Sequence, residues 1–143
     1  MKMIFKALLS GCIILTTLLN AGNNEEQANV VRELIQAFNA HDTPALMNLV
    51  TDDVKWLYII SPDSISLETS GREETQNAFN DYFKSVPTIR SEIEDLNVSG
   101  DYVTFRERVF WKKAGKEVTQ SALCVYQIKE GKISNVWYFP ADK

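Results

Sequence analysis

The second half of the chain most constrains what it can fold into. After Pro87 no helical period remains. Three segments of about 10 to 12 residues each, rich in β-branched and aromatic residues, follow one another through Ser99-Gly100-Asp101, Ala114-Gly115 and Glu130-Gly131. A fourth apolar segment occupies residues 136–139. Glycine takes positive φ without cost, so Gly beside a polar residue between two strand-like runs is hairpin chemistry. Strands joined this tightly form an antiparallel meander, and its apolar face needs a cover.

The first half supplies that cover. Over residues 25–40, Ala28, Val31, Leu34, Ile35 and Phe38 recur at helical spacing on one face. His41-Asp42-Thr43-Pro44 interrupts the pattern and starts a second helix, with Thr43 as cap, Pro44 in the first turn, and Leu46, Leu49 and Val50 as its apolar side. Strands are expected over residues 54–60 and 64–69, separated by Ser61-Pro62-Asp63. Ser70-Gly71-Arg72-Glu73 fits a capping box, Ser at N-cap and Glu at N3. The helix it opens carries Ala78, Phe79, Tyr82, Phe83 and Val86 on one face, and Pro87 ends it. Three helices and a meander make one α+β domain over residues 22–143, with helices on one face of a curved sheet.

Residues 1–21 have the pattern of a secretory signal. Lys2 and Lys6 precede an apolar run over residues 7–19, and Leu19-Asn20-Ala21 offers a small residue for cleavage. The run is shorter than the ~20 apolar residues that span a bilayer. Leu9-Ser10-Gly11-Cys12 also resembles a lipoprotein box, with lipidation at Cys12 as the minority reading, because cleavage there would leave residues 13–19 as an apolar tail. The expected location is therefore periplasmic or secreted, with no membrane contact unless Cys12 is lipidated.

Of 143 residues, 15 are basic and 19 acidic; removing residues 1–21 takes two lysines and no acids, so the mature net charge is −6. That balance weighs against nucleic acid as partner, since phosphate backbones are bound through clustered Lys and Arg. Only Cys124 remains after cleavage, which excludes an internal disulfide in the mature chain. His41 is the sole histidine, so multi-histidine metal sites and histidine triads are excluded; it is expected at the surface of the interhelical turn. Asp42, Asp52 and Asp53 stand at element ends, where carboxylates cap backbone N–H groups. No GxGxxG, Walker, HExxH or CxxC pattern occurs, and nothing calls for a cofactor or metal.

Phe38-Asn39-Ala40-His41-Asp42, Leu46-xx-Leu49 and Asp52-Asp53-Val54-Lys55-Trp56 resemble the opening of SnoaL-like domains in the nuclear transport factor 2-like superfamily. Gly71-Arg72-Glu73-Glu74 and the run from Val125 through Gly131 to Ile133 are similar to that family's second helix start and last hairpin. The resemblance implies a cone-shaped α+β barrel with an apolar pocket, often paired as a homodimer through the outer sheet face. It does not imply one activity, because the family includes cyclases, isomerases, epoxide hydrolases and binding modules.

The family's catalytic groups are largely missing at the matching positions. Leu34 stands where isomerase-like members have a first-helix tyrosine, and Tyr58 falls near their catalytic aspartate. Glu107-Arg108-Val109-Phe110 matches the first two residues of the hydrolases' Glu-Arg-x-Asp run, but Phe110 replaces the acid. The late strand offers no base before Asp142. Cys124 reads as a small buried thiol rather than a nucleophile.

The expected pocket residues are Trp56, Tyr58, Phe79, Phe83, Arg106, Arg108, Phe110, Tyr126 and Tyr138, with Arg108, Glu92 and Tyr58 as the catalytic candidates. If Ser99-Gly100-Asp101 is a three-residue loop, Val98 pairs with Tyr102, Leu96 with Thr104, Glu94 with Arg106, and Glu92 with Arg108. The glutamates and arginines then share one face, while Val103, Phe105, Val109 and Trp111 surround Glu107 on the other; which face lines the pocket stays open. The first functional reading is binding of a small, mostly apolar molecule. The alternatives are an isomerase, cyclase or lyase acting on a small carbonyl or polyketide-like substrate, and a protein-interaction subunit using the sheet face.

Overall fold

The computed structural model describes the backbone of residues 5–142 and the side chains of residues 22–142. The export segment expected over residues 1–21, with Cys12, lies outside the fully described residues. Helices α1 (Phe5–Asn39) and α2 (Thr43–Asn48) precede strands β1 (Val50–Ser61) and β2 (Ser64–Ser70). Helix α3 (Arg72–Ser85) follows, then β3 (Arg90–Ser99), β4 (Tyr102–Lys113), β5 (Lys116–Lys129) and β6 (Lys132–Tyr138). The six strands form one curved sheet in the order β2-β1-β6-β5-β4-β3.

The meander occupies β3 to β6 as expected, each neighbour antiparallel. At the β4–β5 and β5–β6 turns, Ala114-Gly115 and Glu130-Gly131 all take positive φ, the geometry whose twist matches paired strands. Strand β1 adds to β6 in parallel, aligning Trp56 with Val136 and Tyr58 with Tyr138. That single parallel pair makes the sheet mixed rather than wholly antiparallel. It also brings the aromatic start of the sheet beside its aromatic end.

The periodic face of α1 lies on this sheet: Ala28, Val31, Leu34, Ile35 and Phe38 are all buried. Val31, Leu34, Ile35 and Phe38 join Val54, Val103, Phe105, Tyr126, Ile133 and Val136 in one core. Two helix starts differ from the sequence reading by one residue. Asp42, rather than Thr43, caps α2, its Oδ1 accepting the Ala45 N–H at 3.0 Å. Gly71, rather than Ser70, is the N-cap of α3 at φ 87° and ψ 161°, so Glu74 becomes the N3 acid and accepts the Ser70 N–H at 2.8 Å. A backbone only glycine adopts easily shifts the box by one position.

His41 is half-buried rather than fully at the surface. It sits at φ 52°, stacks on Phe83 with ring centroids 4.3 Å apart, and its Nε2 contacts the Ile89 carbonyl oxygen at 3.0 Å. It ties the end of α1 to the loop between α3 and β3.

Candidate binding cavity

Helices α1 and α3 stand off the concave face of the sheet and leave a cavity of about 570 Å³. That volume lies in the range of small-molecule sites. Each wall follows from a sequence pattern already described. Leu34, Ile35 and Phe38 come from the apolar face of α1, and Thr75, Ala78, Phe79 and Tyr82 from α3. Alternation along β1 turns Trp56 and Tyr58 inward, and β5 contributes Gln120, Ala122 and Tyr126. Tyr138, Phe139 and Ala141 close the far side, while Glu68 and Thr69 come from β2.

The aromatic rings set the shape of the floor and roof. Trp56 meets Phe79 edge-on at 5.3 Å and Tyr126 at 6.2 Å, and Phe105 props Tyr126 from behind at 5.0 Å. Such packed edge-to-face contacts hold rings in place, so the cavity wall is defined by the core itself. Tyr58 is 38% exposed.

One polar cluster interrupts the apolar wall. Glu107, on β4, is 5% exposed and lines the cavity. Its Oε1 accepts the Ser91 hydroxyl at 2.5 Å, and its Oε2 faces the Cys124 thiol at 3.6 Å. Beside it the Tyr126 and Tyr138 hydroxyls are 3.0 Å apart. Burial pushes the Glu107 carboxyl above the usual carboxylate range, and hydrogen bonds from Ser91, Tyr138 and Cys124 only partly oppose it. Burial, with the Glu107 charge second, also pushes up the Tyr126 and Tyr138 hydroxyls and the Cys124 thiol. The thiol is therefore held protonated.

The SnoaL-like domain family matches residues 31–136. The chain belongs to this family. Solved structures show the same SnoaL-like architecture. An uncharacterised cystatin-fold protein from Novosphingobium aromaticivorans superposes at TM-score 0.69 with 24% identity, covering 80% of this chain and 97% of that one. A SnoaL-like polyketide cyclase, so described provisionally, from Jannaschia sp. CCS1 gives 0.67 and 15%, covering 83% and 87%. AclR from Streptomyces galilaeus, provisionally described as a hydroxylase, superposes at TM-score 0.64 with 15% identity, covering 82% of this chain and 90% of that one. Among curated proteins none matches in sequence.

Within this SnoaL-like cone, five of the expected pocket residues line the cavity: Trp56, Tyr58, Phe79, Tyr126 and Tyr138. Four do not. Phe83 lies behind the wall, packed among Phe38, Phe79 and His41. Arg106 and Arg108 are on the outer face of the sheet, both 41–42% exposed and both paired with Glu94. Phe110 shares that outer face, with the Arg90 guanidinium stacked 3.8 Å from its ring centroid. Of the catalytic candidates only Tyr58 reaches the cavity. Glu92 is exposed and bonds Arg90 rather than Arg108, although it stands opposite Arg108 in register. Asp142, the late acid, pairs with Arg106 outside.

The residue the sequence reading missed is Glu107. It was visible as the one acid among Val103, Phe105, Val109 and Trp111. A charge alone on an apolar strand face, once that face is inward, must be neutralised or hydrogen-bonded. Among the described residues no group of three or more His, Cys, Asp or Glu is placed to hold a metal ion.

Proposed function

We propose that this SnoaL-like protein is exported and binds a small, mostly apolar molecule in its cone. The supporting observation is the 570 Å³ cavity itself, walled largely by apolar and aromatic side chains such as Trp56, Phe79, Leu34 and Tyr126, with Glu107, Thr69 and Thr75 among its polar groups. Absence of the family's tyrosine at Leu34 and of its acids at Tyr58 and Phe110 favours binding over turnover. The second copy expected of this family would sit on the outer sheet face. There register places Leu57 against Leu67 and Trp137, and Ile59 against Ile65, with Leu67 54% and Ile65 57% exposed.

The test is a titration of the mature protein with apolar aromatic compounds, read by tryptophan fluorescence and by calorimetry. Saturable binding that is lost in Ala78→Trp, with the circular dichroism unchanged, is the expected result. Compounds that never saturate, or that bind equally to Ala78→Trp, would sink the reading. Export predicts a secreted or periplasmic product whose first residue is Gly22, which mass spectrometry identifies. Light scattering of the same sample reports the dimer.

A second reading as an isomerase, cyclase or lyase is favoured by one observation, a buried acid facing the cavity. In it Glu107 moves a proton at a carbonyl substrate beside Tyr126 and Tyr138, replacing the roles first given to Arg108 and Glu92. Turnover abolished by Glu107→Gln with binding intact would select it.

A further inference from the structure

A second recess, of about 190 Å³, shares no lining residue with the cone cavity. It lies where residues 23–30 of α1 cross the turns of two hairpins. Asn23, Glu26, Gln27 and Val30 enter it from one face of the helix. Asp101 comes from the β3–β4 turn, and Ile128, Glu130 and Gly131 from the end of β5 and its turn into β6. The Ile128 N–H donates to the Asp101 carbonyl at 2.7 Å, which ties the two hairpins together at this point.

Gln27 is out of pattern. It stands four residues before Val31 and seven before Leu34, on the buried stripe of α1 where an apolar side chain is expected. The residue is only 6% exposed, and its Oε1 has no hydrogen-bond partner among the described residues. A buried acceptor left unpaired is costly, so this oxygen calls for a donor. The rim restricts which donor. Glu26, Asp101 and Glu130 are exposed carboxylates, and no lysine, arginine or histidine lines the recess. Water can satisfy Oε1, but only a cation carrying N–H groups gains from the rim as well.

The kind of cation follows from the spread of these groups. Among the described residues no three acids stand close enough to share a metal ion, and hard cations need six or more oxygens around one point. A guanidinium matches two parallel acceptors, whereas the deep acceptor here is a single amide oxygen. An ammonium carries three diverging donors, one for Gln27 and the others for the rim. Val30 and Ile128, both buried, give a short alkyl stem an apolar floor.

We propose that the recess binds a primary ammonium group, its N–H donors shared between Gln27 Oε1 and the Glu26, Asp101 and Glu130 carboxylates. This goes beyond the cone reading and does not depend on it. Two sources carry the group. One is a free alkylamine. The other rests on the export proposed above: cleavage before Gly22 leaves an α-ammonium one residue from Asn23, on the recess wall.

The probes are butylammonium, butyltrimethylammonium and 1-butanol. The first has charge and N–H donors, the second charge without donors, the third a donor without charge. Each is titrated by calorimetry at low salt into the mature protein, with its N-terminus free in one sample and acetylated in another. In the acetylated protein butylammonium binds about tenfold tighter than either control, and weakens in about 0.3 M salt because the rim is exposed. Gln27→Leu weakens it about tenfold or more, yet raises the urea midpoint of the ligand-free acetylated protein, because a buried unpaired oxygen is gone. Asp101→Asn and Glu130→Gln, both at exposed turn positions, each weaken it about two- to fivefold and keep the test open if Gln27→Leu fails to fold. Weaker binding in the free sample, with the Gly22 amine titrating by NMR above its ordinary range of about 7.7–8.0, assigns the chain's own terminus as occupant; equal binding in both samples assigns a free amine. No butylammonium binding by the acetylated protein, a control that binds as well, or affinity unchanged in folded Gln27→Leu or in both rim variants overturns the proposal. The cone reading stands or falls separately, on its aromatic compounds and Ala78→Trp.

Discussion

Replacing Glu107 tests the electrostatic account of the cluster through stability, without any ligand. The folded carboxyl sits above the 4.5 of a free glutamate because burial penalises its charged form. The folded state thus holds a proton that the unfolded chain releases in the window just above that value. Stability supplied by the neutral acid is full below the unfolded value and is lost as pH rises through the folded one. Each unit between the two values is about 1.4 kcal/mol lost by the top of the window. Glu107→Gln keeps an acceptor for Ser91 and cannot ionise, so it matches the wild type at low pH and exceeds it at high pH. Glu107→Leu behaves differently. It leaves the Ser91 hydroxyl, 1% exposed, without its acceptor, a loss of about 1–3 kcal/mol at low pH. Tyr138 keeps Tyr126 as partner, so its share is small. Urea unfolding followed by tryptophan fluorescence, repeated across pH, gives each difference directly. Other carboxylates titrate equally in all three proteins and cancel. Wild-type and Glu107→Gln stabilities that run parallel from acid to alkaline pH would refute the reasoning.

Two further outcomes concern backbone and surface. Gly71→Ala forces a Cβ into φ 87°, ψ 161°, where no neighbour blocks it but the backbone itself is strained, and should cost about 1–3 kcal/mol in thermal or urea unfolding. Arg106→Ala and Arg108→Ala each remove one side of a half-exposed pairing with Glu94; stability should change by no more than about 1 kcal/mol, and affinity for a cavity ligand not at all, as calorimetry would show.

Much of the architecture was legible in the sequence because each element announced itself locally. The face of α1 reads at helical spacing, and every residue named on it is buried. The glycine turns bounded the meander. The parallel β1–β6 pair was not legible, because it joins segments about 80 residues apart and nothing in either strand names its partner. For the cavity, Trp56 and Tyr58 on β1 and Tyr126 on β5 point inward as expected. The arginines did not, and the reason lies in one hairpin.

The β3–β4 loop is two residues long, so Ser99 pairs with Tyr102 and Val98 with Val103, not Val98 with Tyr102. Left alone, that one-residue slip would have separated every glutamate from its arginine. Instead Asp95 takes φ 52° and a bulge sets Asp95 and Leu96 against the single residue Phe105. Beyond it Glu94 meets Arg106 and Glu92 meets Arg108, as the longer loop required. The strand itself carries the signal. Ile93, Leu96 and Val98 all pack on the core, yet 93 is odd and the others even, and strict alternation cannot place them on one face. A break in the apolar period therefore marks a bulge between them. Granting that bulge, the apolar residues of β3 lie with Val103, Phe105 and Glu107, and the charged ones lie with Arg106 and Arg108. The face that carries Glu107 is then the inner one on burial grounds alone, since it holds nearly all of both strands' apolar area. The bulge that keeps the glutamates with the arginines on the outside also sets Ile93 beside Glu107 on the inner face, where a single carboxyl meets the cavity.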